Sequence, residues 1–251
     1  MIVLSYGVTK SGSTLAFELC KAILETNGFP QRRLPDGVVF DGHRVNFFGN
    51  PSPAQLEAMH AALAPGERIA IKLHGPLSVE SRAYLDRAIA EDSFRAHINY
   101  RDPREVCLSL IDAGATIRRR EPQRTRGFGT IQNLEEAARF TIRQLEDLRS
   151  WAGLAAPLFL YYNDVAFETD TVIERLCGNL GLPELTPASR EAIKDEVFNR
   201  AHTLKNKAVI DRHRSDLDEG GNRYLLETIP QLPEFIERAC RQRDYRWLAA
   251  D

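Results

Sequence analysis

Short apolar runs alternate along the chain with longer segments in which apolar residues recur every three or four positions. The runs at 2–4, 68–72, 94–100 and 157–162 have the length and composition of buried strands. The segments between them have the periodicity of amphipathic helices. This alternation predicts an α/β fold with three layers, in which helices flank a mainly parallel central sheet and right-handed crossovers join the strands.

Capping residues and glycine or proline stops set the predicted ends of the helices. The helices predicted in this way cover residues 15–26, 53–64, 78–91, 103–112, 133–150, 172–180, 187–200 and 233–243. In the helix after the third strand, Asp102 suits the N-cap, Pro103 suits the first helical position and Glu105 completes a capping box. We expect this helix to break at Ala113-Gly114.

Three stretches follow neither pattern. Residues 29–52 are rich in Pro, Gly and Asn, with short extended pieces at 38–40 and 45–48, and they either wall an acceptor pocket or form an exposed connector. Residues 115–130 contain five arginines, which indicates a solvated loop or a mobile lid over an anionic ligand: Arg118, Arg119, Arg120, Arg124 and Arg126. Residues 204–226 are basic and polar. Because no repeat or dividing linker is evident, we expect a single domain over residues 1–251.

Composition narrows the class of protein. The chain has 251 residues, of which 43% are hydrophobic and 27% charged, and its formal net charge is −2. This balance gives no global field that would recruit nucleic acid, so any anion site must be local. The four cysteines lie far apart and are expected to be buried free thiols. With no apolar run of membrane-spanning length and no room for a signal peptide, we expect a soluble, cytoplasmic protein.

The sequence Lys10-Ser11-Gly12-Ser13-Thr14 lies between the first strand and the first helix. Free backbone N–H groups and the positive end of the helix face such a loop, and Gly12 lets the backbone approach a ligand closely. Lys10 adds a positive charge, while Ser11, Ser13 and Thr14 add hydroxyl donors. We interpret this loop as a phosphate cradle, with an ordinary turn before a helix as the alternative.

The loop differs from the P-loop of NTPases, G-x-x-x-x-G-K-[ST], in which the lysine directly follows the glycine and the Ser/Thr holds Mg²⁺. Here Lys10 comes two residues before Gly12, and Ser13 stands where that lysine would be. This order argues against an Mg²⁺-dependent kinase, which is kept as an alternative.

Polar side chains also follow the other predicted strands. Lys72 and His74 lie on one face at the end of the second strand, Arg101 follows the third and Tyr162 ends the fourth. Because ligands bind beyond the carboxyl ends of parallel strands, we expect these side chains to converge on the phosphate cradle. This convergence favours an enzyme.

Taken in order, these motifs resemble those of the sulfotransferases that use 3′-phosphoadenosine 5′-phosphosulfate (PAPS), of the cytosolic or bacterial type. The loop from Lys10 to Thr14 resembles the family's 5′-phosphosulfate loop. Lys72-Leu73-His74 is similar to its Lys-x-His, in which the histidine is the general base. The resemblance implies a P-loop-NTPase-like sulfotransferase fold.

Two later motifs extend the resemblance. Arg101-Asp102-Pro103 with Ser109 resembles the Arg-x-Pro…Ser that grips the 3′-phosphate, and Tyr162-Asn163-Asp164 resembles a Tyr-Glu-Asp whose tyrosine lies near adenine. Leu15 departs from the pattern, because the family has there an aromatic residue that stacks on adenine. The family's C-terminal Arg-Lys-Gly loop has only stretched counterparts at 212–214 and 220–224, of which Arg214 is the candidate nucleotide-binding residue.

The resemblance implies transfer of a sulfuryl group from PAPS, as co-substrate, to a hydroxyl or amine of a small-molecule or glycan acceptor. His74 would take the acceptor's proton in an in-line transfer, and Lys10 and Lys72 would neutralise the charge that develops. No metal and no nucleic-acid partner are expected. The alternatives are a nucleotide-dependent small-molecule kinase and a non-catalytic nucleotide-binding module.

Overall fold

A computed structural model describes residues 1–121, 123, 127–200 and 209–248. Its centre is a five-stranded parallel sheet made of β1 (Ile2–Gly7), β2 (Phe47–Phe48), β3 (Ile69–Leu73), β4 (Phe94–Tyr100) and β5 (Leu158–Tyr161). The strand order is β2-β3-β1-β4-β5. The four strands that the apolar runs predict are therefore confirmed, and their carboxyl ends share one edge of the sheet.

The remaining regular structure is helical. The helices are α1 (Ser13–Thr26), α2 (Pro53–Ala61), α3 (Val79–Ala90), α4 (Pro103–Arg120), α5 (Leu134–Ala152), α6 (Tyr162–Phe167), α7 (Thr169–Asn179), α8 (Pro187–Arg200), α9 (His213–Asp216), α10 (Glu219–Thr228), α11 (Leu232–Phe235) and α12 (Tyr245–Leu248). A 3₁₀ turn covers Gly127–Thr130, and a π-helical segment covers Ile236–Arg241. In the part of the chain that the structure describes, no helix combines the length and the apolar character needed to cross a bilayer.

The side chains of β1 alternate between two hydrophobic cores, one on each face of the sheet. Leu4 and Tyr6 lie in the core that includes Trp151 of α5 and Leu85 of α3. Val3 lies in the other core, with residues of α1, α7 and α8. Because both faces are covered, the strands are apolar along most of their length. The fold is the predicted three-layer α/β arrangement.

The edge strand β2 is a fifth strand that the sequence pattern does not resolve. It lies in the extended piece predicted at 45–48, and it pairs Phe47 with Lys72 and Phe48 with Leu73. Two residues are too few to show a period of two, so only the pairing with β3 defines this strand. The segment 29–52 therefore contributes to the sheet.

The break predicted at Ala113-Gly114 is wrong, because α4 continues to Arg120. A Cβ on Gly114 would lie 2.2 Å from the carbonyl oxygen of Ile131, so this glycine lets the chain after the helix approach closely. A glycine inside a helix costs only about 1 kcal/mol relative to alanine, which such packing can offset. Residues 115–120 are thus helical and not a loop, while Arg124 and Arg126 lie outside the described residues.

Helices also occupy part of the basic segment 204–226, where none is predicted. Asp218 caps α10 by accepting a hydrogen bond from the backbone of Gly221 at 2.6 Å, so the glycine pair lies in the first turn of a helix. The helix predicted at 233–243 becomes α11 followed by the π-helical segment. Beyond it, Tyr245 stacks on Phe159 of β5 with ring centroids 4.7 Å apart, which fastens the C-terminal residues to the sheet.

Candidate functional site

The loop between β1 and α1 is held by contacts with α6, β4 and α5. Gly12, the N-cap of α1, has a left-handed backbone with φ 78°, and a Cβ there would lie 3.0 Å from the Tyr162 ring. The hydroxyl of Ser11 donates to the carbonyl of Asn99 at 3.3 Å, which fastens the loop to β4. Thr9 donates through both its backbone N–H and its hydroxyl to the amide oxygen of Gln144, at 2.9 and 2.7 Å. The loop is therefore held from three sides.

The N-terminus of α1 is one of several helix ends in the described part of the chain without a side-chain cap. Side chains cap α2, α3, α4, α5 and α10: Ser52, Ser78, Asp102, Asn133 and Asp218. Within the described residues no side chain caps α1, whose N-cap is Gly12. The first N–H groups of a helix lack partners inside the helix and carry the positive end of its dipole. An anion placed against Ser13 and Thr14 would satisfy these groups.

Lys72 reaches this helix end from β3, and Lys10 lies in the loop that precedes the helix. The ammonium group of Lys72 donates to the hydroxyl of Thr14 at 2.5 Å, and burial lowers the pKa of Lys72 to about 8. Burial, and then the charge of Arg101, also lower the pKa of Lys10. Partly desolvated cations of this kind gain most from an anionic partner. Lys72 adds its charge at the N-terminus of α1, where the backbone N–H groups point.

His74 lies beside the same loop. Its Nδ1 is 2.7 Å from the carbonyl oxygen of Gly7, and since a carbonyl only accepts, Nδ1 carries the hydrogen. The other nitrogen, Nε2, therefore holds the free lone pair. Burial, followed by the charge of Lys72, lowers the pKa of His74 to about 4. The imidazole is neutral near pH 7, as a proton acceptor must be.

Arg101 is buried between the loop and α4. Its Nε donates to Glu105 at 2.9 Å, and its Nη1 donates to the carbonyl of Lys10 at 3.4 Å. The guanidinium group also lies over the ring of Tyr162, 3.7 Å from the centroid. Contacts on an edge and a face fix the orientation of the planar group. Arg101 thus joins the ends of β4 and β5 to the loop between β1 and α1.

Glu105 has a different role from the predicted capping box. Its carboxylate accepts from Arg101, and it also accepts from Nδ1 of His213 at 3.3 Å, whereas Asp102 caps α4 through the backbone N–H of Arg104. Burial alone would raise the pKa of Glu105, but the hydrogen bond from His213 and the charge of Arg101 lower it overall. The capping prediction is correct for Asp102 and wrong for Glu105.

One group of metal-ligand residue types occurs among the described residues. It consists of Glu105, Asp211 and His213, whose possible ligand atoms lie within 4.8 Å of one another. The carboxylate of Glu105 is engaged by Arg101 at 2.9 Å. The absence of a metal from the reaction stays a prediction.

Ser109, Tyr162 and Arg214 are the remaining residues predicted to bind the nucleotide. Ser109 is buried on α4, one turn beyond Glu105 and on the same helix face. Tyr162 forms the wall against Gly12 and Arg101. Arg214 lies on the surface with 73% of its side chain exposed and pairs with Asp211 at 3.1 Å. The structure therefore brings His213, rather than Arg214, into contact with the buried pair.

Sequence reasoning missed three residues that shape the site: Glu105 as the partner of Arg101, Gln144 as the support of the loop, and His213. The spacing of four between Arg101 and Glu105 is a signal that could have found the first. No local signal marks His213 or Gln144, because their contacts span 108 and 135 residues of sequence.

No protein-family model matches the chain, and comparison with curated protein sequences finds no match. Among solved structures, the chain is similar to retinol dehydratase in complex with retinol and PAP, with a TM-score of 0.58, 16% identity, and coverage of 92% of this chain and 80% of that one. The complex of retinol dehydratase with androsterone and the inactive cofactor PAP gives a TM-score of 0.57 at the same identity and coverage. Mouse sulfotransferase SULT7A1 complexed with PAP gives a TM-score of 0.52 at 15% identity, with coverage of 98% of this chain and 87% of that one. The chain therefore has the sulfotransferase fold, as the resemblance of its motifs predicts.

Proposed function

We propose that this protein is a PAPS-dependent sulfotransferase that transfers a sulfuryl group to a hydroxyl or amine of a small-molecule or glycan acceptor. The main support for the proposal is a group of side chains at the carboxyl edge of the sheet, next to the uncapped N-terminus of α1. The group consists of the cations Lys10, Lys72 and Arg101 and the neutral His74. The fold supports it, since solved proteins with this fold hold PAP.

The donor set fits a nucleotide with two separate anionic groups. The backbone of α1, with Lys10 and Thr14, would hold the 5′-phosphosulfate. Arg101 would hold the 3′-phosphate together with Ser109. The bonds of Arg101 to Glu105 and Lys10 use Nε and Nη1, so we assign Nη2 to a phosphate oxygen. A 3′-phosphate is what distinguishes this nucleotide from ATP.

Bound PAPS would supply an activated sulfuryl group. Nε2 of His74 then takes the proton of the acceptor as the acceptor attacks. Lys72 and Lys10 stabilise the negative charge that grows on the bridging oxygen and on the sulfuryl oxygens. By analogy with phosphoryl transfer, the protein would contribute mainly positioning and charge stabilisation.

A transfer assay with PAPS labelled in its sulfuryl group tests this proposal against a panel of hydroxyl and amine acceptors. We expect label in at least one acceptor, and a loss of about 10²- to 10⁴-fold in turnover for His74→Ala, because that variant lacks the base. PAP affinity, measured by calorimetry on both proteins, should stay within a few-fold. PAP binding with no transfer to any acceptor would instead favour a non-catalytic module.

Nucleotide preference separates the sulfotransferase from a kinase. If the protein is a kinase, ATP should bind more tightly when Mg²⁺ is present, and phosphate should be transferred. If it is a sulfotransferase, PAP should bind equally well with and without Mg²⁺, and ATP should compete weakly with PAP. Tighter binding of ATP with Mg²⁺ than of PAP would overturn the proposal.

A further inference from the structure

Phe47 places an aromatic ring beside His74. In the parallel ladder between β2 and β3, Phe47 is paired with Lys72, so the two residues share a face of the sheet. The rings of Phe47 and His74 have centroids 5.8 Å apart. Phe48 points to the opposite face and is buried in the core. The edge strand thus gives one phenylalanine to the core and one to the site.

Phe47 belongs to a set of three rings that we call the aromatic wall: Phe40, His43 and Phe47. His43 stacks on Phe47 with centroids 4.7 Å apart, and Phe40 lies 5.7 Å from Phe47. Phe40 is 41% exposed, His43 is exposed and Phe47 is half-buried. Aromatic rings left at the surface next to a candidate base offer an apolar face to a ligand.

Hydrogen bonds and a close backbone contact hold the wall against the strand end that carries His74. The guanidinium of Arg33 donates to the carbonyls of Phe40 and His43 at 3.0 and 2.9 Å. The backbone N–H of Gly75 donates to the carbonyl of Gly49 at 3.2 Å, and a Cβ on Gly75 would lie 2.8 Å from Gly49. The segments after β2 and β3 therefore touch backbone to backbone, which fixes the wall relative to the imidazole.

We propose that the acceptor of this enzyme is a phenol, whose aromatic ring lies against Phe47 with its hydroxyl at Nε2 of His74. The inference rests on the proposed function and names its substrate class. Aromatic rings pack favourably at centroid distances of about 4.5–7 Å, in stacked or edge-on arrangements. A planar acceptor can extend the series of rings from His43 through Phe47 towards the imidazole.

The basicity of the imidazole agrees with this choice. With a pKa of about 4, His74 is a weak base. The pKa of a phenolic hydroxyl is about 10, whereas an aliphatic hydroxyl is a far weaker acid. A weak base takes a proton more readily from the more acidic hydroxyl.

In the transfer step, the phenolic oxygen forms a bond to sulfur as the bond between sulfur and the bridging oxygen of the 5′-phosphate breaks. The electron pair of the broken bond stays on that bridging oxygen, which leaves with PAP. The proton of the phenol goes to Nε2 of His74 and from there to solvent.

The test compares two acceptors of the same carbon skeleton, 2-naphthol and its saturated counterpart decahydro-2-naphthol, with labelled PAPS. We expect 2-naphthol to have the higher kcat/KM. In Phe47→Leu, which keeps an apolar side chain but loses the ring, the preference for 2-naphthol should fall about 2- to 12-fold, the factor that corresponds to one aromatic contact. Tyr84→Leu, which removes a ring packed on Phe94 at the amino end of β4, should leave the preference unchanged.

Four other outcomes would contradict one of the two proposals. Equal or better use of decahydro-2-naphthol would overturn the phenol assignment, and so would PAP binding without transfer to either alcohol. An unchanged preference in Phe47→Leu would also overturn it; if that variant does not fold, His43→Leu, at an exposed position, replaces it. Failure to bind PAP at all would overturn the proposed function instead, so the two failures are distinguishable.

Discussion

The guanidinium carbon of Arg101 lies 3.7 Å from the centroid of the Tyr162 ring. Arg101 follows β4 and Tyr162 begins α6, which directly follows β5, so this contact ties together two neighbouring strand ends. The same tyrosine ring is the group that a Cβ on Gly12 would meet. An arginine fixed in this way can present its remaining N–H groups to a ligand with little loss of side-chain entropy.

Arg101→Lys should lower PAP affinity by about tenfold or more, because lysine keeps the charge but loses the planar fork and the stacking on Tyr162. The affinity for AMP, which lacks the 3′-phosphate, should change much less. Calorimetric titration of both nucleotides checks this. Arg104→Lys is the matched control, since Arg104 binds Asp102 at 2.7 Å instead of the loop. Equal losses for PAP and AMP would contradict the assigned 3′-phosphate contact.

Glu105→Gln should weaken PAP binding several-fold while AMP binding changes little, because Glu105 orients Arg101 through a charge-assisted hydrogen bond. It should also lower the free energy of unfolding by about 1–3 kcal/mol, since a buried hydrogen bond to a charged group is weakened. Chemical denaturation and calorimetry measure the two effects. Glu135→Gln breaks an exposed pair with Arg139 and should do neither. Unchanged PAP affinity in Glu105→Gln would limit Glu105 to a structural role.

At a pH near 8.5, PAP binding should take up protons. Lys72, with a pKa of about 8, is mostly neutral there, and a bound anion raises the pKa and restores the charge. Calorimetry in two buffers of different ionisation enthalpy gives the number of protons exchanged. Lys72→Arg, whose group is always charged, should reduce the uptake to what Lys10 contributes. Proton release, or an uptake that Lys72→Arg does not change, would show that Lys72 does not face the anion.

Acid should destabilise the protein between about pH 6.5 and pH 4. His97 is fully buried on β4, and burial lowers its pKa to about 4, below the ordinary value of 6.5 that it has when unfolded. The unfolded chain therefore binds more protons in this window, so stability falls as the pH falls. The free energy of unfolding should fall less between about pH 7 and pH 4.5 in His97→Gln than in the unchanged protein, by about 2 kcal/mol. Denaturant titrations at the two pH values measure this, and an equal loss in both proteins would contradict it.

Strong local periodicity accounts for most of what the sequence predicts correctly. The strand at Phe94–Tyr100 and the helix at Pro187–Arg200 match their predicted bounds, because apolar spacing and flanking turn residues agree there. The strand, the glycine and the helix around Gly12 follow one another as predicted, and the anion site that this order indicates stays a prediction. The convergence of strand ends also follows from parallel topology alone.

The features that the sequence does not predict share a physical cause, which is contact between distant parts of the chain. The strand at Phe47–Phe48 exists only by pairing with residues 72 and 73. Gly114 resembles a helix stop, yet its role is to admit the carbonyl oxygens of Phe128 and Ile131. His213 meets Glu105 across 108 residues. No pattern within a short window contains this information.

Titration of the protein with PAP at about pH 7, in the presence of a chelator, measures whether the site binds this nucleotide. We predict saturable binding at one site per chain that a chelator does not weaken. The affinity should be at least tenfold higher for PAP than for AMP, because Arg101 would hold the second phosphate. No saturable binding of PAP, or equal affinities for PAP and AMP, would contradict it.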